Sequence, residues 1–257
     1  MKIADATIEA AFRRHRTLYV EQLRWSVRGY SAPWSLGEQA FAGEGDRETF
    51  ENLYRAMIGW LVFRGPAGPR MPAAEVFDIL TDIGRRFPRL RKLSLTELAT
   101  ADAPDLRQAL VLAGAIKRNK SGPSLVAVSK FLHFWNPRLF MIVDDQEMGA
   151  RVLGRRWLRA LVLAVQDEIE SAYGKFDPQN EPASYGLSYA SILLWAGRLV
   201  QSNPGILAPL EGYVRQQAEG LALPDDYASF AGAAVEWFLL GLSELPPAGV
   251  DLSGRES

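Results

Sequence analysis

Apolar residues recur along this chain at the three- and four-residue spacing of a helix face, and no convincing two-residue strand alternation appears. The clearest stripe is Phe50, Leu53, Tyr54, Met57, Ile58 and Leu61, which predicts a helix over 46–63 with Asp46 as its N-cap. Ile8, Phe12 and Tyr19 mark another over 4–23. Further helices are expected over 73–86, from Pro104 to about Lys117, from Ser124 to about Trp135, from Asp145 to about Tyr173, and near 187–201, 206–219 and 225–242. Residues 25–45 and 174–186 read as irregular loops, 64–72 as a Gly/Pro breaker, 87–93 as a basic linker, and 246–257 as a frayed polar tail. The fold class is therefore all-α, with about ten helices in a single domain of two lobes that face each other across a cleft.

Three neighbouring segments carry the candidate chemistry. The first is a turn between two helices. Gly122 can take the positive φ that a tight corner needs, Pro123 suits a first helical turn, and Ser124 can cap the helix that follows. Lys117, Arg118, Lys120 and Ser121 crowd this turn, whose outward N–H groups suit an anion. An ordinary helical corner with a solvated basic tip has the same pattern. The second is the helix SLVAVSKFLHFW, apolar nearly all round and so expected to be buried. Lys130 lies inside it and must snorkel, pair with a carboxylate, or have its pKa lowered toward that of an amine nucleophile. The third is FMIVDDQE, where an apolar run meets Asp144 with Glu147 three residues later. That is capping-box spacing. In a pocket the same carboxylate can stabilise a developing cation or orient water, with Asp145 and Gln146 adjacent to supply hydrogen bonds.

Composition narrows the options. The 257 residues include no cysteine, which removes disulfides and thiol chemistry and fits a reducing compartment. The two histidines, His15 and His133, are far apart, which argues against a zinc enzyme. The N-terminal stretch has no secretory apolar core and no run approaches the roughly 20 apolar residues of a membrane span. A cytoplasmic protein with no membrane partner is expected. The net charge of −1 conceals an asymmetry: 15 Lys/Arg against six Asp/Glu over 85–159 make that segment +9 and leave −10 to the rest. One basic face for a polyanion, or internal pairing of basic with acidic segments, both follow from this.

A Gly-containing hairpin, a buried helix, a proline, and an apolar run into Val143-Asp144 together resemble the helix-hairpin-helix DNA glycosylase superfamily. GPSLVAVSKFLHFWNPRLFMIVDD is similar to its bacterial 8-oxoguanine-glycosylase-like branch. The resemblance covers roughly 106–153, with the helix-hairpin-helix element at 106–147. It implies two α-lobes with double-stranded DNA bound across the cleft. The family's catalytic Asp falls on Asp144, its hairpin Gly on Gly122, its Val-Ala on Val126-Ala127 and its Pro on Pro137. Its catalytic lysine position falls on Leu125, a departure that implies base removal without strand nicking unless Lys130 substitutes. Lys130 lies five residues on, about 140° round the helix.

The implied reaction starts with extrusion of the target nucleotide, because a base inside the duplex is out of reach. Breaking the N-glycosidic bond builds positive charge on the sugar, which Asp144 would stabilise. Lys117, Arg118, Lys120, Ser121, Gly122 and Ser124 would hold the backbone, and the basic stretches 85–92 and 151–159 would add phosphate contacts. Asp145 and Gln146 would face the base, and Trp25, Tyr30, Trp34 and Tyr185 are candidates to stack on it, with Trp34 foremost. The resemblance implies a monomer without cofactors. The base is either 8-oxoguanine or a hypermodified phage base such as α-glucosyl-5-hydroxymethylcytosine, since some relatives act in antiphage defence. Two other classes stay open: a non-catalytic DNA-binding module using the hairpin alone, and a nucleoside or nucleotide salvage hydrolase on the same fold.

Overall fold

Helix α4 (Ala73–Arg86) shows how the apolar stripes become structure: Val76, Phe77, Leu80 and Ile83 fall on one face and are all buried. The computed structural model of the chain describes residues 2–18, 27–42, 45–59, 71–116, 118–119, 122–208, 224, 226–243 and 245, with backbone alone at 27–31, 59, 118–119, 145–146 and 228. It is 73% helix and 3% strand, an all-α fold. Before α4 come α1 (Asp5–His15), α2 (Val27–Ala40) and α3 (Arg47–Gly59); after it come α5 (Pro88–Lys92) and α6 (Ala103–Ala113). Two-residue strands β1 (Arg118–Asn119) and β2 (Gly122–Pro123) pair antiparallel and lead into α7 (Leu125–Trp135). A π-helical segment (Asp145–Leu153) and α8 (Arg156–Tyr173) follow. The second small hairpin, β3 (Ala183–Ser184) and β4 (Leu187–Ser188), precedes α9 (Tyr189–Ser202) and α10 (Ala231–Ser243).

Several elements depart from the sequence expectation for identifiable reasons. Residues 27–40 form a helix, although Pro33 lies inside it. Tertiary packing outweighs the weak local preference here: α2 packs on α3 and α7, and a Cβ at Gly37 would collide with the Phe134 carbonyl. The expected long helix over 145–173 is interrupted at Gly154–Arg155, where the π-helical segment ends and Arg155 caps α8. Pro123 belongs to β2 instead of the first turn of α7; Ser124 is the N-cap, with its oxygen 3.5 Å from Ala127 N. The basic linker contains the short helix α5, opened by Pro88. Most of the helix expected over 206–219 lies outside the described residues.

One hydrophobic cluster draws on every one of these helices and on Leu187 of β4. Its axis is α10, in which every residue from Ala231 to Ser243 is buried. Helix α1 lies directly on it, with Trp237 stacked on His15 at 5.7 Å between ring centroids. On α6, Arg107 forms a two-point ion pair with Glu181 (3.0 and 2.6 Å) and donates to the carbonyls of Gly174 and Lys175. This clamp fixes the 174–181 loop, whose Pro178 carbonyl covers Gly122 so closely that a Cβ there would collide with it. Among the described residues no helix is long and apolar enough to cross a membrane.

Gly241 allows the backbones of α10 and α1 to touch, since a Cβ would overlap the Ala11 carbonyl oxygen. Gly241→Ala therefore forces the helices apart and should cost about 1–3 kcal/mol despite its better helix propensity, as read by denaturant unfolding.

Candidate functional site

The apolar run 139–143 delivers Asp144 and is buried throughout. It has no strand partner, so its backbone groups need hydrogen bonds from elsewhere. Four consecutive residues obtain them from buried side chains on three helices. His133 Nδ1, on α7, lies 2.7 Å from the Phe140 carbonyl. The Tyr189 hydroxyl, on α9, donates to the Met141 carbonyl. Glu236, on α10, accepts from Ile142 N at 3.1 Å. Ser129 Oγ, on α7, accepts from Val143 N at 3.0 Å.

Protonation states follow from these contacts. Trp34 Nε1–H donates to His133 Nε2 at 2.9 Å, so that nitrogen carries no proton and Nδ1–H donates to Phe140. Burial pulls the His133 pKa down to about 4 and keeps the ring neutral. Burial first, then the neighbouring Glu236 carboxylate, pushes the Tyr189 hydroxyl well above the ordinary tyrosine range and so keeps it a donor.

Asp144 caps the π-helical segment. Its Oδ1 accepts from Glu147 N at 2.6 Å, and its carbonyl accepts from Gly149 N at 2.8 Å. The side chain is half-buried, and Oδ2 has no hydrogen bond among the described residues. One carboxylate oxygen is thus anchored by the backbone of the segment it caps. Glu147 pairs with Arg151 at 2.9 Å. The Ser129–Val143 bond ties α7 to this run one residue before Lys130 and one residue before Asp144. Lys130 is half-buried, less enclosed than its apolar neighbours suggest. Leu125 is buried and offers no amine.

The other candidate residues separate. Trp34 is 2% exposed and packs edge-on against Phe230, with its N–H committed to His133. It is a core residue and does not line a pocket for a base, because the expected loop that would have presented it is helix α2. Gly122 takes a φ of +112°, but it is buried under Pro178. Ser124 is half-buried, with its oxygen serving the helix cap. Lys117, Lys120 and Ser121 lie outside the described residues, as do the side chains of Arg118, Asp145 and Gln146. Among the described residues no group of three or more His, Asp or Glu is placed to hold a metal ion.

Sequence reasoning overlooked the residues that position Asp144. Glu236, the one acid in AGAAVEWFLLGLS, was a visible signal that an acid must be satisfied inside an apolar helix. Ser129 and Tyr189 carry no such mark. The chain matches no protein-family model, no curated protein and no solved structure.

The buried His133 has a testable consequence. Its folded pKa lies below the ordinary 6.5, so the unfolded chain binds the proton more readily. The resulting stability is fully present above pH 6.5 and is lost as the pH falls from 6.5 toward about 4. The loss should be on the order of 3 kcal/mol. His15, also buried and lowered to about 3, adds to it with the same sign. Unfolding measured between pH 4 and 7 should show this slope, and His133→Gln should flatten the His133 share.

Proposed function

We propose that this protein is a monofunctional DNA glycosylase: it takes up a modified base extruded from duplex DNA and hydrolyses its N-glycosidic bond, leaving an abasic site. The observation that carries the reading is the setting of Asp144. It stands at the end of an irregular run fixed at four successive residues, with one oxygen bound to a backbone N–H and the other without a partner among the described residues. A carboxylate held in this way needs little reorganisation to stabilise positive charge growing on a sugar or to orient the attacking water. The buried Leu125 at the position where strand-nicking relatives of the suggested superfamily carry lysine favours base removal alone. The basic balance of 85–159 favours a polyanion over a free nucleoside.

The test is base release from DNA carrying oxidised purines and from phage DNA carrying glucosylated hydroxymethylcytosine. Mass spectrometry reads the freed base, and alkaline cleavage reads the abasic site. The wild-type chain should release one of these bases without nicking the strand. Asp144→Asn should lower the rate at least about 100-fold and leave DNA affinity within about twofold. Full release by Asp144→Asn would overturn the catalytic assignment. Salt-sensitive DNA binding with no release from any substrate would reduce the protein to a binding module. A nick after borohydride-trappable amine attack would make Lys130 a nucleophile.

A further inference from the structure

We propose that Tyr185 and the paired cations Arg156 and Arg159 form a docking surface for a DNA strand beside Asp144, the ring stacking on a base while the two arginines hold adjacent phosphates. The inference rests on the DNA reading above and assigns it a surface at the β3–β4 turn and the start of α8.

The first observation is conformational. Tyr185 and Gly186 are the two loop residues of the β3–β4 hairpin, with φ of 54° and 75°. This is the doubly positive turn that Asn, Asp or Gly normally fills, because a Cβ at its first position is crowded. A bulky aromatic there is locally unfavourable. Tyr185 is 45% exposed, and its side chain makes no hydrogen bond or ring contact among the described residues. Its edge lies over Gly149, where a Cβ would stand 3.2 Å from Tyr185 Cε2 and 3.0 Å from the Asp144 carbonyl. Gly149 thus brings the ring close to the catalytic turn. A non-glycine residue held at positive φ is the kind of strain found at functional sites.

The second observation is electrostatic and independent of the first. Arg156 and Arg159 are exposed in the first turn of the 18-residue helix α8 and carry no ion pair among the described residues. No acid accompanies them in that turn, so both face the positive end of the helix dipole. The Arg159 guanidinium reaches within 3.5 Å of the Cβ position of Gly186, beside Tyr185. Two choices that each disfavour the free protein therefore adjoin one another and the π-helical segment that Asp144 caps. A ligand both flat and anionic relieves both. A nucleic-acid strand has that chemistry, with base–aromatic stacking and phosphate–guanidinium contacts at neighbouring positions.

The test uses the full chain with a short duplex carrying an abasic-site analogue and 5-iodouracil beside it. Tyr185→Asn should bind about tenfold more weakly, lose photocrosslinking between iodouracil and the 185-containing peptide, and melt no lower than wild type. Tyr185→Phe should keep both affinity and crosslink. In Arg156→Gln/Arg159→Gln the dependence of log affinity on log salt should become shallower by about 2. Wild-type affinity in Tyr185→Asn, or a lowered melting temperature in that variant, would overturn the proposal. If base release still depends on Asp144 in that case, the glycosylase reading survives without this surface. A wild-type chain that binds no DNA would remove both together.

Discussion

Residues 139–143 form an extended run in the middle of a helical core, and the structure depends on how that run is satisfied. A run outside any helix or sheet leaves most of its amides and carbonyls to be met by side chains, and burying them unmet costs several kcal/mol. His133, Tyr189, Glu236 and Ser129 meet them one residue at a time. Because these four come from three helices, the run ties α7, α9 and α10 to a common position. The carboxylate at its end then inherits the rigidity of the core instead of the mobility of a loop.

The two small hairpins differ in how they are held. The β1–β2 hairpin is backed by the 174–181 loop, which the Arg107–Glu181 clamp holds in place. A buried two-point ion pair of this kind adds little net stability over an apolar pair, yet losing either member leaves a buried charge unmatched. Its effect is geometric: it keeps the loop against Gly122. The β3–β4 turn and the start of α8 carry exposed cations and an exposed ring close to Gly149.

How far this could be read from sequence depended on whether a feature is local. The stripe Val76, Phe77, Leu80, Ile83 announces α4 with its observed bounds, and the caps at Ser124 and Asp144 follow from residue type and spacing alone. Helix α2 was hidden because Pro33 and its turn-forming neighbours argue against a helix, while the forces that make one come from α3 and α7. Trp34 was misplaced for the same reason: its partner His133 lies 99 residues away. The break at Gly154 leaves only a lone glycine in an otherwise helical pattern. At the candidate site, Asp144 was legible as a carboxylate ending an apolar run. The groups that hold the run were not, because serine and tyrosine look alike in a core and at a surface until the chain is folded.

The four anchors also set an order in time. His133 and Ser129 leave the ribosome before the run they bind, whereas Tyr189 follows it by nearly fifty residues and Glu236 by more than ninety. A nascent chain that already contains Asp144 still lacks the carboxylate that fixes Ile142 and the buried helix beneath it. The run therefore has no finished seat until the last of the described helices has been synthesised. An unfinished chain holds Asp144 on an apolar segment that still lacks two of its anchors, open to chaperones and proteases.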